Sequence, residues 1–319
     1  MMSIGSLLVG GLLGVASLCA FFLNIFVLIV MIKGGFLASG SNVMYLMAFN
    51  LLVSDTFQLS VHLLYQAPAA VLQEDIHPPV DIDLSRVGGF ISLWMWNNGG
   101  IMLTLLSLNR LVQICYPEFA WMFSRNKTTL LCAAVWPCCL LLTIISQYIL
   151  PCCEFVVSYS VYSYAYRAMP NTTNYSLKFV DTPSNFLCTI AVLINYSVIF
   201  YKVRTTRHNL LSGLSEIQHT KRRQKEYRFA LQFLLISSFY TIGWISVRIY
   251  PLIIPLDQPK WFSILAITSV VNSSINSLIY VYYNPDINKA CRKLIGATVS
   301  NSSSYSAVNA IIQERETTQ

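Results

Sequence analysis

The chain has 319 residues, 55% hydrophobic and only 11% charged, with a formal net charge of +7 and a mean hydropathy of +0.55. So little charge over this length excludes an ordinary water-soluble domain and points to lipid as the solvent. The excess positive charge gathers at one side of the apolar stretches, which fits anionic lipid headgroups and excludes a nucleic-acid site.

A hydrocarbon layer of about 30 Å takes roughly 20 apolar residues per helical span. Seven stretches meet that need, near 6–32, 42–68, 87–114, 127–150, 184–205, 227–250 and 261–283. No basic segment precedes the first, and it runs on apolar for longer than the core of a secretory signal, so it is read as a span. With the N-terminus outside, fifteen Lys and Arg residues fall on inner loops and inner helix ends, against Arg86, Arg167, Lys178 and Lys260 outside. The positive-inside rule then places the C-terminus in the cytoplasm.

Ionisable and amide groups inside a membrane are costly, so each is a candidate site. In chain order they begin with Asn24 in "FLNIFVLIV" and Asp55 at the end of "NLLVSD". The third span brings Ser92, Trp94, Trp96, Asn97 and Asn98, then Asn109 and Arg110 at its inner end. Trp94 and Trp96 are two apart and cannot share a helical face, so one of them packs away from the interior. The long connection after the fourth span carries sequons at Asn171 and Asn174, which this topology makes accessible to glycosylation. Cys152, Cys153 and Cys188, at or near the outer surface, are candidates for pairing, with connectivity left open.

The sixth span holds Tyr240, Trp244 and Arg248. Arg248 lies one turn outward from Trp244, and as a single cation in an otherwise uncharged pocket it suggests an acidic group on a small ligand; a side chain snorkelling to the headgroups is the plainer alternative. In the seventh span Asn272 and Asn276 are four apart and share a face, where they can serve a carboxylate at mid-membrane depth. After it, Asn284-Pro285 predicts a cap and first turn of a new helix. Ile287, Ala290, Cys291, Leu294 and Ile295 form its apolar stripe opposite Lys289, Arg292 and Lys293, so this short eighth helix lies on the membrane. Residues 296–319 read as a polar, disordered cytoplasmic tail after a receptor domain of residues 1–295.

"NLLVSD", "LNRLVQICYP" and "NSLIY", with Trp136 and Trp244, resemble in order the motifs of rhodopsin-like G-protein-coupled receptors. The run "SLNRLVQICYPEFAWMFSRNKTTLL" followed by "RRQKEYRF" is similar to the nematode chemosensory serpentine receptors, class X in particular. The resemblance implies an all-α membrane protein, a seven-transmembrane helix bundle in the plasma membrane. It further implies coupling of an extracellular small molecule to a heterotrimeric G protein, without a cofactor and without catalysis. It implies that Glu226, eighteen residues or five turns before Trp244, locks Arg110 while the receptor is silent, and that Tyr196 and Tyr280 meet the freed arginine. It also implies an internal Na+ site at Asp55 with Asn272 and Asn276, although Gly99 stands where a serine ligand is usual.

Other departures from that pattern are informative. Ser92 stands where aminergic receptors carry Asp, and Val270 where opsins carry the retinal lysine. Asn109 replaces an acid, leaving the lock to Glu226 alone. Cys188, Ser246 and Ser277 replace prolines, so helix six needs another weak point, for which Gly243 is the candidate; a glycine permitting close helix packing is the equal alternative. Ser85 replaces the cysteine that anchors the outer cap, which must be held otherwise. A transporter or ligand-gated channel is the alternative; it normally leaves buried charges or broken helices in matching halves, and neither stands out here. No G-x-S-x-G or H-E-x-x-H suggests an intramembrane enzyme.

Overall fold

The computed structural model describes residues 4–38, 40–76, 82–167, 172–209, 217–255 and 258–296, without the side chains at 203, 206–209, 217–230 and 251. Asn171, the Glu226 side chain and the tail beyond residue 296 therefore lie outside the described residues.

The first span is α1 (Ile4–Lys33). The second is α2 (Val43–Val61), running through a π turn at His62–Gln66 into α3 (Ala67–Leu72). The third to seventh are α4 (Leu84–Cys115), α5 (Arg125–Ile144), α6 (Thr182–Asn209), α7 (Ile217–Ile253) and α8 (Ser263–Tyr283), and α9 (Pro285–Leu294) follows. Further π turns close α5 at Ile145–Ile149 and precede α6 at Leu177–Asp181. The protein is thus a seven-helix membrane bundle with a short eighth helix.

Five of these segments are long and apolar enough to cross a membrane by composition alone. The second and third spans are more polar because they line the interior: α2 buries Ser54, Asp55 and Gln58, and α4 buries Ser92, Asn97, Asn98, Asn109 and Arg110. Central α4 packs on α2, α5, α6 and α7. The outer surface instead displays Leu8, Leu130, Leu187, Ile194 and Phe200, which in water would be a liability and in lipid is solvation.

Residues between the fourth and fifth spans add an element that the expected all-helical architecture lacks. β1 (Glu154–Ser158) and β2 (Ser163–Arg167) form an antiparallel hairpin with Phe155 opposite Tyr166 and Val157 opposite Tyr164. Alternation along each strand puts these four side chains on one face.

Helix α7 runs unbroken through Gly243, and a Cβ there would stand 3.6 Å from Trp96, so the glycine sits where α7 packs closely on α4. Among the described residues three π turns interrupt the second and fourth spans and the start of the fifth, and none lies in α7. Each adds a residue to one helical turn, and such turns re-aim side chains at functional positions. Helix α9 starts as its sequence predicts, with Asn284 Oδ1 accepting from the backbone N–H of Asp286 and Ile287 at 3.1 and 3.2 Å. Ile287 and Cys291 are buried while Leu294 and Ile295 are exposed, the arrangement a helix resting on lipid requires.

Candidate ligand and coupling sites

The hairpin caps one end of the bundle, and Ser85 answers how it is held. The Ser85 hydroxyl donates to the Val157 carbonyl at 2.6 Å, so the position expected to lack an anchor makes one by hydrogen bonding. Gln147, turned inward by its π turn, donates to Phe155 O at 2.9 Å and accepts from Phe155 N at 2.8 Å. Exposed ion pairs Arg86–Glu154 at 2.8 Å and Arg167–Asp83 at 3.2 Å add edge ties, each worth about 1 kcal/mol or less. Cys152 and Cys153 are joined to each other, and Cys188 is a free thiol.

The expected ligand residues fall beneath this cap, and the protein itself already occupies their polar groups. Ser92 donates to the Tyr164 hydroxyl at 3.0 Å. Asn185 Oδ1 accepts both from Trp96 Nε1 at 2.8 Å and from the Tyr240 hydroxyl at 2.7 Å, and the Trp96 and Tyr240 rings stack 4.9 Å apart. Trp94 turns away, donating to the Trp136 carbonyl at 3.1 Å. Asn97 and Trp244 do not join these networks: the Asn97 amide nitrogen and the Trp244 indole nitrogen are buried without a partner among the described residues.

Arg248 requires a correction. It forms an ion pair with Asp181, which the π turn before α6 carries inward. The same carboxylate accepts from the Tyr166 hydroxyl at 3.2 Å and from Asn185 Nδ2 at 2.7 Å. The pocket is therefore not uncharged, and the acidic ligand inferred from a lone cation loses its premise, because the chain supplies the acid. The sequence does not reveal that Asp181 faces inward, because one inserted residue in a helical turn leaves no mark in hydrophobic periodicity.

Deeper in the bundle the expected polar network forms. Asn276 Nδ2 donates to Asp55 Oδ2 at 2.5 Å, Asn24 Nδ2 donates to Ser273 O at 3.0 Å, and the Ser277 hydroxyl donates to Asn24 Oδ1 at 2.5 Å. Asn272 contributes only as lining, beside Asp55, of a cavity of about 10 Å³, the space of a single water. Gln58 Oε1 and Asn276 Oδ1 are buried without hydrogen-bond partners among the described residues. With the Asp55 carboxylate they make an all-oxygen donor set, the kind a hard cation takes, so these residues fit Na+ despite Gly99.

At the α9 end, Arg110 is among the largest fully buried side chains. It donates to Asn109 Oδ1 at 2.7 Å, so the residue that replaces the expected acid is a neutral acceptor for the arginine, not a vacancy. Tyr196 and Tyr280 are also buried, and their hydroxyls lack partners among the described residues; neither is an interfacial aromatic facing lipid. Asn174 accepts from Leu177 N at 2.8 Å and so caps the turn entering α6.

Sequence reasoning missed Gln58, His62, Tyr164, Asp181 and Asn185. A signal for Tyr164 existed, since Phe155/Val157 and Tyr164/Tyr166 show the period of two that marks strands.

A polar seam through seven helices, beneath a docked hairpin and above a buried arginine, is the architecture of a rhodopsin-like receptor. The crystal structure of squid rhodopsin matches with a TM-score of 0.74 at 17% identity, covering 92% of this chain and 82% of that one. A family model described as serpentine type 7TM GPCR chemoreceptor Srx matches residues 15–284, and the chain belongs to that family. No curated protein matches at a significant level.

Proposed function

We propose that this chain is a plasma-membrane chemoreceptor, with the hairpin end and N-terminus outside, that couples a small molecule to a heterotrimeric G protein at the α9 end. The observation that carries the reading is Arg110, a guanidinium fully buried inside the bundle at the α9 end, with Asn109 Oδ1 among its partners. A buried guanidinium and a carboxylate favour each other, and separating them leaves a charge with poor solvation. In the silent state that carboxylate belongs to Glu226; on activation Arg110 meets the G protein, with Tyr196 and Tyr280 offering hydroxyls. Receptor signalling is tested by cAMP and calcium responses in a heterologous cell over a library of small acids, volatiles and peptides. Arg110→Ala at matched surface expression is expected to abolish the response. A ligand-driven current without G protein would instead favour the channel or transporter alternative.

Two substitutions should move the basal signal in opposite directions. Glu226→Ala should raise it, and Asn109→Asp should lower it, because a carboxylate adds an ion pair with Arg110 to the hydrogen bond that the amide already accepts. A change of about 1 kcal/mol corresponds to roughly fivefold in the active fraction. Equal basal signals in all three receptors at equal surface levels would exclude the lock.

Asp55 with Gln58 and Asn276 would hold Na+, which supplies a positive charge that offsets the buried carboxylate. The expected result is a higher thermal midpoint in NaCl than in choline chloride at equal ionic strength, and no such difference in Asp55→Asn. The same Na+ response in both proteins would leave Asp55 as a hydrogen-bonded group only. Glycans at Asn171 and Asn174 and a solvated tail beyond residue 295 complete the reading.

A further inference from the structure

The ring of Tyr164 sits in a seat that matches a phenol group by group. Gln58 Nε2 donates to its oxygen at 2.8 Å and Ser92 at 3.0 Å, and the hydroxyl lies 3.3 Å from His62 Nε2. Two accepted bonds and one donated bond are the full capacity of a hydroxyl. The donated bond requires the His62 tautomer with Nε2 bare. Phe155 stacks on the ring at 5.3 Å with planes 14° apart, and the His62 ring meets its edge at 5.4 Å and 70°. The seat is built from three elements of the bundle: α2 with its π turn, α4, and α8, whose Ser269 hydroxyl lies 3.0 Å from His62 Nε2 and in this tautomer donates to the same nitrogen.

All the hydroxyl's partners are uncharged. A carboxylate or an ammonium in this place would lose hydration without gaining a counter-ion among them, whereas a neutral aryl hydroxyl satisfies all of them. The hairpin has no need of this ring, since β2 pairs with β1 through backbone bonds. What a tethered ring gains over a free one is local concentration. Its tether is bonded to the bundle through Ser85, Gln147 and Asp181, and only at the edge by exposed ion pairs, which hold weakly.

We propose that the space under the hairpin is a recognition site for a free 4-hydroxyphenyl compound, kept filled by Tyr164 as a tethered occupant of the same chemistry. This rests on the reading of the chain as a small-molecule receptor. Displacing the ring would change the partners of α2, α4 and α8 together, at the helices that lead down to Asp55 and Arg110.

The test uses full-length receptor in lipid nanodiscs, with p-cresol as the probe and toluene as its hydroxyl-free counterpart. In Tyr164→Ala the seat is vacated, and p-cresol at about tenfold its Kd should raise the thermal midpoint by about 2 °C. Toluene should not, and adding Ser92→Ala with Gln58→Leu should remove the p-cresol shift. If the alanine variant is monodisperse only when purified with p-cresol, that rescue supports the site. No p-cresol shift in folded Tyr164→Ala, or an equal shift with toluene, overturns it. Should that variant not fold under either condition, Tyr164→Phe decides: it keeps the ring but not the hydroxyl, so p-cresol, and not toluene, should raise hydrogen exchange over residues 154–167. No difference between the two compounds there also overturns the proposal. Because binding is read directly, loss of the site leaves G-protein coupling untouched, and loss of coupling leaves the site untouched.

Discussion

Arg248→Met is expected to destabilise the receptor by roughly 3 kcal/mol, the low end for breaking a buried ion pair from one side. The low end applies because the Arg248 and Asp181 side chains are 22% and 11% exposed. The mutation leaves the Asp181 carboxylate facing only the neutral donors Tyr166 and Asn185. That site joins α7, the turn before α6 and the hairpin, and Asn185 carries it on to Trp96 and Tyr240. One lost cation should therefore loosen the whole end of the bundle. Thermal unfolding in nanodiscs measures the cost, and hydrogen exchange over residues 163–167 locates it. Asp181→Leu added to Arg248→Met should recover most of the loss, since replacing both charges removes the unpaired one. Wild-type stability in Arg248→Met would mean that the arginine snorkels to headgroups in the bilayer.

The same pair marks the boundary of what the residues alone disclose. The seven spans, the Asn284-Pro285 start of α9, and the meeting of Asp55 with Asn276 are legible because they rest on local rules of hydrophobic length, capping and helical face. The absence of an anchoring cysteine at Ser85 correctly predicts that the cap is held by other means. The means themselves are tertiary: Ser85 reaches the Val157 carbonyl, a backbone acceptor with no side-chain signature. Arg248 stands alone in the sequence because its partner, Asp181, is carried inward by a π turn that periodicity does not show. His62 and Gln147 belong to π turns as well. His62, Gln147 and Asp181 thus reach the capped site where a helix carries one extra residue, whereas Tyr164 reaches it on a strand.

Gly89→Ala is the other large effect expected, again about 3 kcal/mol, from overpacking together with lost hydrogen bonds. A Cβ on Gly89 would stand 2.1 Å from the Phe155 carbonyl oxygen and 2.7 Å from Val156 Cα. Both are backbone atoms of β1, so no rotamer change relieves the clash and the strand itself must move by about 1 Å to reach van der Waals contact. That shift pulls Val157 O from Ser85 and Phe155 from both of its bonds to Gln147. It also carries off Phe155, on which Tyr164 stacks. Gly11→Ala is the matched control: it too lies within a helix, and nothing approaches its Cβ position within 4 Å, so its effect should stay within about 0.5 kcal/mol. Thermal midpoints compare the two, and limited proteolysis within residues 154–167 reads whether the hairpin has left the bundle. Equal midpoints and equal protection would mean that β1 does not rest on α4 in the membrane.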